Sequence, residues 1–340
     1  MTTDTGVTGA TQIGTMFSTT EIKTYYIMAL LDRALPRLYH CNFAQRADIP
    51  ERAGGTAEFR KFSSLSVATT ALTPGVTPTS TAAEVTNITV TPAWYGSYIR
   101  FSQEFKRTAI DNILEEFIEM LGEQAGNTAD QLARALFVAS GTAQIVGQSL
   151  RTSLTTSDTM TGSQMAKAYS TLLASNARPF EEIDGRYAVI MHPHVWYDLQ
   201  ESPDFRNAYQ QAQPRSEDHP LFTGEMYDYM GMRIFVTSNG YYETDGGAST
   251  VDAYVTLVIG QNAFGIAGIG ATGFDMELGM GGTGNPPMPV DIKAHPIGEA
   301  TPSDPLGQRG SVGWIASQQE VELDSTFCVR VECASSMGSN

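Results

Sequence analysis

The stretch VTNITVTPAWYGSYIRFSQEF, Val85 to Phe105, constrains the fold more than any other part of the chain. Thr, Val, Ile, Tyr and Trp dominate it, and Ile88, Val90 and Trp94 alternate with Thr89, Thr91 and Tyr95. This is the period-2 pattern of a strand with two different faces. Strands usually end after about 5–6 residues. At about 3.3 Å per residue, one running from Val85 to Phe105 reaches on the order of 60 Å, wider than a compact domain of this chain. Either sharp bends divide it within a sandwich sheet, or it packs against something outside its own domain. Pro92 lies within the run and argues for an edge position, because proline has no N–H for a ladder.

An outgoing partner precedes it. TAEFRKFSSLSVA (Thr56 to Ala68) reads as a strand, and TTALTPGVTPTSTAAE (Thr69 to Glu84) as a turn region marked by Pro74-Gly75 and Pro78. The predicted element is a two-stranded ribbon, which is marginal alone in water. If Thr56 to Phe101 has no partner in its own subunit, its edges and apolar faces stay unsatisfied until another molecule covers them.

Helical periodicity flanks the ribbon. Ser18-Thr19-Thr20-Glu21 fits a capping box, and Ile22, Tyr25, Tyr26, Ala29, Leu30 and Ala34 follow at helical spacing until Pro36. After the ribbon, Thr108-Ala109-Ile110-Asp111 resembles a capped start. Ile110, Ile113, Leu114, Phe117, Leu121, Ala125, Ala129, Leu132, Ala133 and Leu136 then hold a 3.6-residue stripe to about Ser140. Such a helix spans roughly 45 Å. Gly122 and Gly126 each cost about 1 kcal/mol relative to Ala. With Ala125 and Ala129 they leave a smooth face for close approach of another backbone. Asp111, Glu115, Glu116, Glu119 and Glu123 crowd the first turns, where the dipole favours them, although a charged face is ordinarily just solvated.

From about Thr161 to Thr301 the pattern turns to mixed α/β. Met165 to Ser175 reads as a helix, Tyr187 to Met191 as a buried strand and His194 to Gln200 as a short helix. RIFVTS and YVTLVIG are further strands, Gly279 to Val290 is loop, and Ser311 to Ala334 reads as two strands around a turn.

Composition limits the function classes. Of 340 residues, 41% are hydrophobic and 17% charged, which indicates a globular chain. Met1 to Thr20 lacks the basic start and apolar run of a signal peptide. No apolar stretch approaches the roughly 20 residues of a membrane helix. Cys41, Cys328 and Cys333 have no metal-ligand spacing. Cys328 and Cys333 sit five apart in a strand-like run, point to opposite faces and cannot easily bridge. A soluble protein made in a reducing cytoplasm is expected. Residues 1–110 carry a net charge of +2 and residues 111–340 a net −18. No basic stripe is present to hold nucleic acid.

Chemistry is poorly supported. Gly268, Gly270 and Gly273 match G-x-G-x-x-G, with Asp291 downstream. A dinucleotide site needs a helix to begin at those glycines, and FDMELGMGGTGNPPMPV cannot form one, so a glycine-rich loop is expected. His192-Pro193-His194, with Asp198 downstream, offers two imidazoles but no third metal ligand, and an exposed or capping role fits better. The carboxylates are scattered rather than paired, so no enzyme activity, cofactor or metal is expected.

The order of elements, together with AEFRKFSSLSVATTALTPGVTP, YGSYIRFS, TAIDNILEEFIEMLGEQAG, YAVIMHPHVWYDL and DPLGQRGSVGW, resembles the Hong Kong 97 fold of tailed-bacteriophage major capsid proteins. Within it, the phrases are similar to the N-four-type major capsid protein family over about residues 20–335. The resemblance implies an α+β chain with an N-terminal arm (1–50) and an extended β-ribbon loop (51–105). It also implies a peripheral domain with a spine helix (106–145 and 301–340) and an α/β axial domain (146–300). It further implies a structural, non-enzymatic protein that self-assembles through pentamers and hexamers into an icosahedral shell around phage double-stranded DNA, without sequence-specific binding. The implied place is the virion, assembled in the host bacterial cytoplasm, with no membrane and with portal, scaffold and decoration proteins as further partners. An encapsulin-type nanocompartment shell is the alternative on the same fold, and a dinucleotide-dependent enzyme the alternative from another class.

In that fold the ribbon packs on an adjacent subunit. The inter-subunit contacts expected from fold position are Arg60, Lys61, Pro74, Trp94, Tyr95, Arg100, Glu115 and Glu119, with the basic loop base meeting the acidic helix of a neighbour. The Lys–Asn cross-link of the founding phage is not expected. Lys61 is the only lysine within residues 56–103, and Ser303 to Ser339 contains no Asn.

Overall fold

The computed structural model describes residues 39–337 apart from 50–53, 63–64, 73, 78–79, 109–112, 213–226, 270–289, 296 and 299–303. In chain order the elements are β1 (Gln45–Ile49), β2 (Ala57–Phe62), β3 (Val85–Val90), β4 (Ala93–Ser102), α1 (Gln103–Thr108), α2 (Ile113–Ala139) and β5 (Thr142–Ile145). Next come α3 (Gly162–Ala174), β6 (Tyr187–Met191), α4 (Pro193–Glu201), α5 (Pro203–Ala212), β7 (Asp228–Tyr229), β8 (Met232–Val236) and β9 (Tyr241–Glu243). The last are β10 (Ala253–Ile259), β11 (Phe264–Ile269), β12 (Val290–His295), β13 (Arg309–Glu322) and β14 (Cys328–Cys333). The helix predicted around Ile22 to Ala34, and the capped start at Ala109 to Asp111, lie outside the described residues.

The long strand is in fact two strands. β3 pairs antiparallel with β2, with Ile88 opposite Phe59 and Val90 opposite Ala57. Thr91 and Pro92 leave the ladder, and β4 then pairs with β13 in a different sheet. Phe105 belongs to α1. Proline has no N–H and a fixed φ, so the chain changes partner at Pro92. Pro92 is buried in the break rather than placed on the edge of a continuous strand.

The described chain forms two compact units. One gathers Trp94–Asp130 and Gly284–Ser317, the other Tyr39–Ala93, Gln131–Thr283 and Gln318–Asn340. Both α2 and β13 contribute residues to each unit.

In the first unit, β13 pairs with β12 and β4. β12 runs antiparallel to β13, with Asp291 opposite Ile315 and Lys293 opposite Gly313. A Cβ on Gly313 would stand 2.6 Å from the Cβ of Tyr98, and one on Gly96 2.7 Å from the carbonyl oxygen of Trp314. These glycines let β4 and β13 approach closely. The opposite face of the sheet meets α2. The Phe101 and Phe105 rings lie 6.4 and 6.3 Å from the Phe117 ring, and Trp314 Nε1 donates to Gln124 Oε1 at 3.3 Å. Gly122, Ala125, Gly126 and Ala129 are buried, which accounts for a small-residue face that costs helix propensity. Gly313→Val is expected to lower stability by about 1–3 kcal/mol through overpacking against Tyr98, read as a lower denaturant midpoint of the free subunit.

The second unit is built on a seven-stranded sheet ordered β5-β14-β10-β6-β8-β7, with β9 also on β10. Every residue of β6 and β10 is buried, as strands covered on both faces require. Met165, Ala168 and Leu172 of α3, Val195 and Leu199 of α4 and Phe205 of α5 join one core with Val189, Val258 and Val329 of the sheet. The closing segment is not the pair of strands around a turn that its pattern suggests. β13 pairs β11, β12 and β4, whereas β14 pairs β10 and β5. Alternation alone shows that both are strands and does not name their partners.

A chain of charges ties the end of α2 into this unit. Arg330 Nη1 donates to the carbonyl oxygen of Val138 at 2.6 Å, and its Nε lies 3.3 Å from Glu332 Oε1. The side chain of Glu332, only 3% exposed, accepts two bonds from Arg151 at 2.8 and 2.7 Å, and Arg151 Nη1 also reaches Glu243 at 2.6 Å. Hydrogen bonding to Glu332, opposed by burial and helped by Glu243, holds the Arg151 guanidinium charged. Glu332→Gln leaves Arg151 without its main counter-charge but with Glu243 still beside it, and is expected to cost about 1–3 kcal/mol in urea unfolding, the range for losing a hydrogen bond to a charged group.

Candidate assembly surfaces

The ribbon is held at its root by its own unit. The Phe59 ring sits where a Cβ on Gly265 would be, 2.8 Å from Cζ, so only glycine on β11 accommodates it. Phe59, Val90 and Ala267 form a buried cluster with Ala47, Ile88, Val321 and Leu323 packed against it. Lys61 Nζ donates to Asp324 Oδ2 at 2.5 Å, while Asp324 Oδ1 accepts from the Thr326 backbone N–H and hydroxyl at 3.1 and 2.7 Å. The expectation that Thr56 to Phe101 has no partner in its own subunit therefore fails for β4, which pairs with β13, and for the apolar face of the root, whereas among the described strands β2 and β3 pair only with each other. Beside the root lies a recess of about 360 Å³ lined by Phe59, Phe62, Ile88, Leu323 and Phe327, with Lys61 and Asp324 among its polar residues.

Partial burial opposes ionisation of Asp324, but the bonds from Lys61 and Thr326 outweigh it and hold the carboxyl below its usual 3.8. Its contribution to stability is thus present above the ordinary carboxylate pKa and is lost as pH falls through the lower folded value. Lys61→Met is expected to cost at most about 1 kcal/mol, since the lysine is half exposed. Asp324→Ala also removes the Thr326 cap and is expected to cost about 1–2 kcal/mol at pH 7. Denaturation of the free subunit at pH 7 and pH 3 checks both the order and the loss.

Beyond the root the ribbon is unsupported. The described residues between Leu65 and Glu84 form no strand or helix, and Phe62, Leu65, Val67, Leu72, Val76 and Val85 are exposed. Val67 is 85% exposed and Leu72 73%. Pro74 begins the turn, followed by Gly75 at φ 82°, a conformation glycine adopts without strain. These apolar side chains are absent from the contacts expected from sequence, although SSLSVATTAL does alternate them with Ser and Thr.

The other predicted contact residues belong to the first unit. Trp94 and Tyr98 lie on the exposed face of β4, 59% and 58% exposed. Arg100, on the same face, donates to the Tyr98 hydroxyl at 2.6 Å with its guanidinium 5.2 Å from the ring centroid. Tyr95 is half-buried on the opposite face of β4. Glu116 is exposed and Glu119 half-buried on α2, and the side chain of Glu115 lies outside the described residues. The eight predicted residues thus divide between the units. Arg60 (exposed), Lys61 and Pro74 fall in one, and Trp94, Tyr95, Arg100, Glu115 and Glu119 in the other. Sequence reasoning misses Tyr98 and Asp324, the latter because its link to Lys61 joins residues far apart in the chain.

Of the chemical motifs, the histidine pair falls within the described structure. His192 caps α4, its Nδ1 accepting from the His194 N–H at 3.2 Å. No group of three metal-ligating side chains occurs among the described residues. Gly268 and Ile269 end β11, and Gly270 to Gly273 lie outside the described residues. All three cysteines are buried thiols, and burial pushes Cys328 up to about 12. No helix among the described residues is long and apolar enough to cross a membrane.

A long helix under a sheet, a ribbon and an α/β unit define the class. Residues 84–277, more than half of the chain, match the phage capsid protein family. No curated protein matches the chain. Among solved structures it is similar to the capsid of Cyanophage P-SCSP1u, with a TM-score of 0.62 and 14% identity over 86% of this chain and 87% of that one. The Cyanophage Pam1 capsid asymmetric unit gives 0.61 and 16% over 90% and 92%. The capsid of Ralstonia phage GP4 gives 0.63 and 15% over 87% and 88%. The chain belongs to the phage capsid protein family and has the Hong Kong 97-type fold. It is a major capsid shell protein, and neither the nanocompartment nor the enzyme alternative draws support from these matches.

Proposed function

We propose that copies of this chain join through pentamers and hexamers into an icosahedral shell around double-stranded DNA, each copy laying its ribbon arm on a neighbour. The exposed apolar arm between Phe62 and Val85, in a chain of this family, carries the reading. Soluble monomers rarely leave such surface bare unless it is an interaction site. In this reading residues 1–50 are the N-terminal arm, 51–105 the extended loop, 106–145 with 301–340 the peripheral domain, and 146–300 the axial domain. The shell is non-covalent and non-catalytic and is assembled in the bacterial cytoplasm. The net −18 of residues 111–340 suits a wall that repels packaged DNA instead of gripping it. Portal, scaffold and decoration proteins complete the partner set.

Arg60 and Arg100 are the exposed cations proposed to meet Glu116 and Glu119 of a neighbour. Lys61 is occupied by Asp324, so Arg60 gives the cleaner test. Arg60→Glu is expected to reduce particle yield at low salt while leaving the subunit's thermal midpoint within about 1 °C, since an exposed pair is worth only about 0–1 kcal/mol. Unchanged yield in sedimentation would remove that contact from the proposal.

Hydrogen exchange tests the arm. Leu65 to Glu84 is expected to exchange freely in a verified monomer and to be protected in particles, with β2, β3 and α2 protected in both. Strong protection of the arm in the monomer would show that it folds on its own subunit. Boiled particles are expected to run at monomer mass, and a ladder of covalent oligomers would overturn the non-covalent shell.

A further inference from the structure

The head of α4 is built around an imidazole that works only while neutral. The chain turns out of β6 at Met191, His192 takes an extended backbone at φ −76° and ψ 147°, and Pro193 opens the helix. The side chain of His192 accepts from the backbone N–H of His194 at 3.2 Å. Capping this way is ordinarily done by Ser, Thr, Asp or Asn, none of which gains a proton in the neutral range. Here the accepting atom is Nδ1, so the neutral ring carries its proton on Nε2. Protonation at Nδ1 turns the acceptor into a donor and places a cation at the positive end of the helix.

The surroundings are aromatic and crowded. The His192 ring lies 4.6 Å from His194, 5.8 Å from Tyr242 and 5.1 Å from Tyr254, measured between centroids. A Cβ on Gly240 would stand 2.8 Å from the His192 nitrogen, so that turn leaves the backbone no room to shift. Titratable or charged groups on the elements around it include His194, Tyr197, Asp198 and Glu201 on α4, Tyr241, Tyr242 and Glu243 on β9, Asp252 beside and Tyr254 on β10, and Arg134 on α2. Their hydrogen bonds run elsewhere. Glu243 is held by Arg151, Asp198 by Ser336, and Asp252 accepts from the Asp245 N–H. Arg134 donates to Asn239, and the Tyr254 hydroxyl lies 3.0 Å from His194 Nδ1.

We propose that His192 is an acid-sensitive latch on α4: the neutral ring caps the helix, and protonation at Nδ1 releases its first turn. Burial first, and the neighbouring His194 second, lower His192 from 6.5 to about 4. An unfolded chain therefore takes up this proton before the folded one. The latch's contribution to stability is complete above pH 6.5 and is lost as pH falls from there towards 4. Asp198 of the same helix accepts from the Ser336 backbone, so α4 also anchors the segment after β14.

His192→Asn separates the latch from simple packing, because asparagine caps well and does not titrate. In the full-length wild-type chain, exchange protection of the His194 amide, corrected for intrinsic rate, is expected to fall about tenfold or more between pH 7 and pH 4. In the variant it is expected to change by less than about twofold. His194→Asn, which leaves the cap in place, is expected to keep the wild-type loss. Equal pH dependence in wild type and His192→Asn would overturn the latch, as would a His192 that titrates near 6.5 by NMR while the amide stays protected. If His192→Asn fails to fold, the wild type alone decides: coincident midpoints for ring titration and amide deprotection support the latch, and separate midpoints overturn it.

Discussion

One missing N–H organises much of this molecule. At Pro92 a chain that would otherwise continue as a single strand loses a ladder hydrogen bond, and the strands on either side take different partners. β3 closes a ribbon with β2, while β4 joins β13. Both assignments are then fixed by side chains. Phe59 of β2 occupies the space over Gly265, and Tyr98 of β4 lies against Gly313, so a one-residue slip of either strand would lose a close fit against a glycine. The ribbon therefore leaves the fold at a defined place, which an arm on a flexible tether would not.

Past Phe62, magnitudes decide whether the arm can order by itself. Ordering each residue costs about 1–2 kcal/mol of backbone entropy, and full burial of a Leu or Val returns about 1.5–3 kcal/mol. In the arm those side chains are separated by Ser, Thr and Ala, and the described residues there have no ladder to share the cost. Side-chain burial alone is thus too sparse to order the arm, and a second surface must supply both contacts and backbone partners. The root is different. Phe59, Ile88 and Val90 pack against residues of β1, β11 and β13, so its order comes from within the subunit.

Much of this is legible in the sequence where periodicity speaks directly. Tyr187 to Met191 reads as a buried strand and is one, and the stripe from Ile113 to Leu136 is α2. His192-Pro193-His194 reads as exposed or capping rather than metal-binding, and His192 is a cap. Pairing is not legible, because alternation says that a residue faces a core without saying which core. β13 and β14 look like a hairpin and belong to different sheets, and Lys61 looks like a free surface cation until Asp324 arrives from the far end of the chain. The proline signal is visible but reads as an edge marker, when its stronger effect is to end one ladder and begin another.

The tie between Lys61 and Asp324 bears on how the charge split should be understood. A net +2 against −18 suggests long-range attraction between the front of one copy and the back of another, but screening in salt limits such attraction to about 8–10 Å. Only charges that end up close together contribute, and a cation already paired within its own subunit contributes least. Lys61 is such a cation; it and Arg60, one residue away on the opposite face of β2, are both exposed, and Lys61 is the one held by Asp324. Adjacent basic residues on a strand thus divide the labour by parity. One is tied by an ion pair to Asp324 of its own subunit, and the other is the cation proposed to meet a neighbour.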